Sequence, residues 1–210
     1  MIGIIPYLAL AYCLGSPPTP NYEKVNANVS VSVPKNTAVL LIDMQPDFVQ
    51  AISGYELTRE VPNMLRVLEY AAQNRLPIFV LEYHDHPPTI DFLKKRVDVL
   101  PNVSYVVKPY DNGFADTGLA VRLKQLNVDE VVLMGINASF CVASTAQGAK
   151  INGFHVTTSL DLIADPSRLG DMGIGVEGSR WFARNGTLAK DHKDLLELIS
   201  QRQKGVLRKK

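Results

Sequence analysis

Cysteine, charge of one sign and bilayer-length hydrophobic runs are all scarce in this chain of 210 residues. Its two cysteines, Cys13 and Cys141, are too few for a disulfide framework. Lys+Arg of 22 against Asp+Glu of 21 leaves a formal charge of +1, short of the basic footprint needed to bind a phosphate backbone. No nucleic-acid partner is expected. The apolar stretch from Ile2 to Leu14 contains Pro6 and falls below the ~20 residues of a bilayer span, so no membrane span is expected either. No Lys or Arg precedes that stretch, and its small-residue cleavage pattern is weak. An arm packed on the body or on a second subunit is therefore preferred to a secretory signal. The expected location is cytoplasmic, with a secreted or periplasmic one as the alternative.

What is present describes a globular body. The hydrophobic share is 46% and the charged share 20%, values of ordinary folded domains. Residues 1–36 read as an arm and an extended linker, 37–201 as the body, and 202–210 as a basic tail whose default is a solvated helix end. Within the body, strands alternate with helices. Ala38–Ile42 is a continuous apolar run, as in a strand buried on both faces. Val61–Asn74 carries apolar residues at helical spacing, with Pro62 near its start. Ile78–Tyr83, Tyr105–Val107, Val131–Met134 and His155–Leu160 read as further strands. Helices are expected at Leu119–Leu126, from Cys141 to Gly153, and at Lys190–Gln201. This order predicts an α/β fold: a Rossmann-like three-layer α/β/α sandwich with a mostly parallel sheet.

In such a sheet, ligands bind outside the carboxyl ends of the strands, where the strand order reverses. Asp43, Lys108 and Cys141 all fall at or just past strand ends, so one crevice could hold a base, a cation and a nucleophile. A helix start and a nearby lysine would both favour the thiolate of Cys141. Asp43 would take the thiol proton and return it to a leaving nitrogen. Each residue alone has a duller explanation, since a lone buried cysteine is usually a small hydrophobe.

The surrounding segments make the pattern specific. Ala38-Val-Leu-Leu-Ile-Asp43-Met-Gln-Pro-Asp47-Phe48, Val107-Lys108-Pro-Tyr-Asp-Asn112-Gly-Phe114 and Gly135-Ile-Asn-Ala-Ser-Phe-Cys141-Val-Ala-Ser-Thr145-Ala146 occur in this order. Together they resemble the motifs of the isochorismatase-like cysteine hydrolases. The resemblance implies a catalytic triad of Asp43, Lys108 and Cys141, and a cis peptide between Ile136 and Asn137. It further implies an oxyanion hole made by the backbone N–H groups of Asn137 and Cys141. The expected reaction is hydrolysis of an amide or carbamoyl C–N bond of a small molecule through a thioester, with no cofactor, in a homo-oligomer.

Two positions depart from the family pattern, which commonly has Thr and Asp where this chain has Ala138 and Ser139. Nicotinamidases of the family carry a metal-binding Asp-x-His motif and a later His. Here the second strand ends in Glu82-Tyr-His84-Asp85-His86, a different spacing, so no metal is expected and His84 is assigned to the substrate pocket. Phe48, Tyr110 and Phe140 join it there, while Trp181 and Phe182 are divided between pocket and core. Vinyl ether hydrolysis of the isochorismatase type and a non-catalytic scaffold are the rival readings, and Cys141 weighs against the first.

Overall fold

The structure, a computed structural model, describes residues 36–166 and 177–205. The arm at Ile2–Leu14, all of the linker but Asn36, residues 167–176 and the end of the basic tail lie outside the described residues. Among the described residues seven strands form one sheet: β1 (Thr37–Ile42), β2 (Ile78–Tyr83), β3 (Val103–Lys108), β4 (Glu130–Ile136), β5 (His155–Ser159), β6 (Ile163–Ala164) and β7 (Thr187–Ala189). Their order is β3-β2-β1-β4-β5-β7, with β6 on β4, and every pairing is parallel. The expected sandwich is found. All six residues of β1 are buried because both faces of the strand are covered. Val39 and Leu41 feed one core with Met64, Leu68, Leu195 and Ile199. Ala38, Leu40 and Ile42 feed the other with Leu123, Ala146 and Phe182. This period-two alternation is what assigns successive side chains of a strand to opposite layers.

The helices are α1 (Pro46–Val49), α2 (Gly54–Gln73), α3 (Asp91–Val97), α4 (Leu119–Gln125), α5 (Ala143–Ile151), α6 (Glu177–Asn185) and α7 (His192–Gln203). α2 begins seven residues before the expected start. Ser53 caps it by accepting from the Glu56 N–H at 3.2 Å, and its hydroxyl donates to Glu56 Oε2 at 2.6 Å, an N-cap within a Ser-x-x-Glu sequence. Pro62 therefore lies inside the helix. α7 ends at Gln203, two residues past the expected end, and there the tail reading needs correction. Arg202 is not a solvated helix end: its guanidinium pairs with Glu130, a carboxylate buried at the foot of β4. A buried carboxylate needs such a partner, so the body extends through this residue. Phe182 is fully buried and Trp181 packs against it edge-on at 5.2 Å, which places both in the core layer. No helix among the described residues is long and apolar enough to cross a membrane.

Candidate active site

Strand order reverses between β1 and β4, and the chain leaves both strands at the same edge of the sheet, where such folds form their binding crevice. Asp43 turns out of β1 with φ at +52°, a left-handed conformation that is costly for a residue with a Cβ and is often found at functional positions. Opposite it, Gly135 has φ at +130°, and a Cβ there would lie 2.1 Å from the carbonyl oxygen of Ile42. Only glycine permits this close approach of β4 to β1. From the end of β3, Lys108 reaches back under the crevice. Its Nζ is 2.8 Å from Asp43 Oδ2, donates to the carbonyl of Tyr110 at 3.1 Å, and lies 4.0 Å from the centre of the Tyr83 ring. Both charged side chains are fully buried, and Cys141 is 4% exposed. The ion pair is close but poorly aligned: neither Asp43 oxygen receives a well-directed hydrogen bond from a described residue. Asp43 thus retains acceptor capacity toward the thiol, with which it interacts.

Electrostatics in the crevice differ from the expectation. Burial raises the Asp43 carboxyl above its usual range, opposed by the Lys108 charge. Burial also pushes the Cys141 thiol well above its ordinary range, and the Asp43 charge adds to this while Lys108 opposes it. Cys141 does not open an α-helix. It is the fourth residue of a π-helical turn, Ala138–Val142, that precedes α5, and desolvation there outweighs the lysine. Burial thus favours the neutral thiol, from which a base would have to take the proton.

Side chains around the three residues fix their loops. Gln45, fully buried, donates to the carbonyls of Tyr83 and Pro87 at 3.0 and 2.8 Å and accepts from the Tyr83 N–H at 2.7 Å. It ties the turn after β1 to the end of β2. Thr145 on α5 accepts from the Gly113 N–H at 3.0 Å and donates to the Asp111 carbonyl at 3.2 Å. The loop after Lys108 is thereby docked beside the turn that carries Cys141, whose Sγ lies 3.5 Å from Asp111 Oδ1. The peptide between Ile136 and Asn137 is cis, where the resemblance places it. Ser139 donates through its N–H and hydroxyl to Asp165 at 2.9 and 2.6 Å and accepts from the Gly178 N–H.

The remaining expected pocket residues gather at the same edge with different engagements. Phe48 is half-buried and packs on His86 with ring centres 4.7 Å apart. Tyr110 and Phe140 are exposed. His84 is turned to exposed Asp85 at 2.6 Å, and His86 to Asp47 at 2.8 Å. Glu82 accepts from both the N–H and the hydroxyl of Thr89. No group of three or more potential metal ligands occurs among the described residues. Sequence reasoning missed Gln45, Tyr83 and Asp111 as site residues. Asp111 was findable, three positions after Lys108 inside a recognised segment; Gln45 and Tyr83 act through contacts between distant strands.

Fold and site together define a doubly wound α/β protein with a thiol, an ammonium and a carboxyl at its switch point. The model of the isochorismatase domain matches residues 37–173, and the chain belongs to the isochorismatase family of hydrolases. A streptothricin hydrolase of Streptomyces noursei is 30% identical over 135 residues, which cover 59% of this chain and 52% of that protein. The crystal structure of the nicotinamidase SaPncA from Staphylococcus aureus aligns with a TM-score of 0.63 at 18% identity, covering 73% of this chain and 97% of that one. N-carbamoylsarcosine amidase from Thermoplasma acidophilum aligns with a TM-score of 0.63 at 21% identity, covering 75% and 96%. At these identities the two structures speak to the fold.

Proposed function

We propose that the chain is a cysteine amidohydrolase that cleaves a C–N bond of a small amide or carbamoyl compound through a thioester on Cys141. The observation that carries this reading is the buried Asp43–Lys108 pair at 2.8 Å beside the Cys141 thiol. Asp43 takes the Sγ proton as sulfur attacks the carbonyl carbon, so an S–C bond forms and charge moves onto oxygen. The N–H groups of Asn137 and Cys141 receive that oxyanion; losing one such donor typically costs about 100-fold or more in rate. Collapse breaks the C–N bond, and Asp43 gives its proton to the departing nitrogen. Water then attacks the thioester, losing a proton to Asp43, which returns it to sulfur as the acid leaves. The raised Asp43 carboxyl suits both accepting and donating, since efficient acid–base groups lie nearer the working pH. Lys108 keeps the carboxylate accessible despite its burial and offsets the negative charge that would oppose thiolate formation.

A family that includes named hydrolases and a fold shared with a nicotinamidase and an amidase support C–N cleavage. The test is turnover of a pool of small amides and carbamoyl compounds by the wild type and by Cys141→Ala. Loss of turnover in a variant with an unchanged circular dichroism melt is the expected result. Full activity in that variant would refute covalent catalysis.

A further inference from the structure

Charge of one sign surrounds the nucleophile. The segments 43–48, 82–88, 108–112 and 137–141, which leave the carboxyl ends of four strands, carry Asp43, Asp47, Glu82, Asp85 and Asp111 against a single lysine. The chain as a whole is balanced at +1, so this is a local concentration. The lysine does not counter it at the surface, because Lys108 is fully buried and held by Asp43. Three of the carboxylates are engaged nearby: Asp47 with His86, Asp85 with His84, and Glu82 with Thr89. Asp111 is engaged by the Cys141 thiol itself, which donates to its Oδ1. It is exposed, its backbone is fixed by Thr145, and its Oδ1 is 3.5 Å from the sulfur that would attack.

A substrate whose carbonyl carbon bonds to Sγ must place its nearest substituents against this carboxylate. Its arrival strips water from Asp111. An apolar substituent would leave the charge unpaired, and a second carboxylate would add repulsion at short range. A cation one to three bonds from the carbonyl would replace the lost water with a charge-assisted hydrogen bond, and the acidic edge would draw it in. We propose that Asp111 selects substrates bearing a protonated amine or guanidinium close to the scissile carbonyl, so that the site hydrolyses cationic amides in preference to neutral or anionic ones. This rests on the amide-hydrolase reading above and names its substrate class.

Two measurements test it separately from that reading. The first needs no substrate: modification of Cys141 by ammonium-bearing, uncharged and sulfonate-bearing methanethiosulfonates, followed by peptide mass spectrometry that distinguishes Cys141 from Cys13. Dividing by the rates for 2-mercaptoethanol removes reagent reactivity, and comparing reagents on one protein cancels the thiol's own acidity. The ammonium reagent should react at least ~10-fold faster than the sulfonate, an advantage that shrinks at high salt and in Asp111→Asn. The second compares kcat/KM for glycinamide, protonated at neutral pH, with its N-acetyl derivative. The preference for the cation should fall about 10-fold in Asp111→Asn, mainly through KM. Equal rates for the charged reagents in the wild type, or a charge preference unchanged in a folded Asp111→Asn, would overturn the inference. Should that variant not fold, salt-independence of the wild-type ratio would do the same. Hydrolysis of no amide at all, with the labelling ratio intact, would instead refute the hydrolase reading while the charge selection by Asp111 stood.

Discussion

At the scale of single residues, the site is an exchange of desolvation against pairing. Asp43 and Lys108 are both fully buried, and each is tolerable only because the other is 2.8 Å away. Breaking such a pair is more damaging than removing both members. Lys108→Met should therefore lower unfolding stability by about 3 kcal/mol, and adding Asp43→Asn should recover a measurable part of that loss. Urea unfolding of the four proteins checks it; additive losses would show that the pair is not coupled. Away from Cys141, Glu60 is a second buried carboxyl. Its carboxyl is pushed up to about 7 by burial, with Arg59 at 3.0 Å opposing the shift. A carboxyl raised on folding binds protons more tightly in the folded chain, so its contribution to stability declines as pH climbs from its unfolded value near 4.5 through about 7. Glu60→Gln should accordingly gain up to about 3 kcal/mol on the wild type at pH ~8 and little at pH ~4. A pH-independent difference in melting would contradict the burial of that charge.

At the scale of elements, strands were more legible than their connections. β1, β2 and β4 are runs of Val, Ile and Leu with covered faces, and that composition alone marks a central parallel strand. α3, α6, β6 and β7 gave no sign in the sequence. They are short, and in α6 the apolar signal rests on few residues, with Phe182 entering the core. The early start of α2 had a signal, Ser53 and Glu56 three apart, that apolar spacing from Val61 obscured. That Asp43, Lys108 and Cys141 lie close together was legible because each lies at or just past a strand end, whereas the upward push on the Cys141 thiol was not, because it depends on burial that only packing decides. The junction of β1 with β4 is where local backbone and site meet. Gly135→Ala would force a Cβ against the Ile42 carbonyl at 2.1 Å, with backbone on the receiving side and no flexible atom to yield. It should cost about 3 kcal/mol or more and lower activity even where folding persists. Thermal unfolding with parallel assay checks this; a wild-type melt would mean that the strands do not approach so closely.

At the scale of the whole molecule, the doubly wound sheet gathers groups separated by 98 positions along the chain, from Asp43 to Cys141, into one crevice. Nothing in the balanced composition points there. This convergence arises because β1 and β4 are neighbours at the strand-order reversal, with the loop after β3 docked beside the turn that carries Cys141. Family membership places the chain among hydrolases, and the proposed chemistry rests on the arrangement of thiol, amine and carboxyl. The most direct measurement is intact-mass spectrometry of the protein quenched in acid during incubation with small amides and carbamoyl compounds. The account predicts an added acyl or carbamoyl mass that peptide mapping assigns to Cys141, that water discharges, and that Cys141→Ala never acquires. Turnover of an amide with no such adduct at any quench time, and with activity intact in Cys141→Ala, would contradict it.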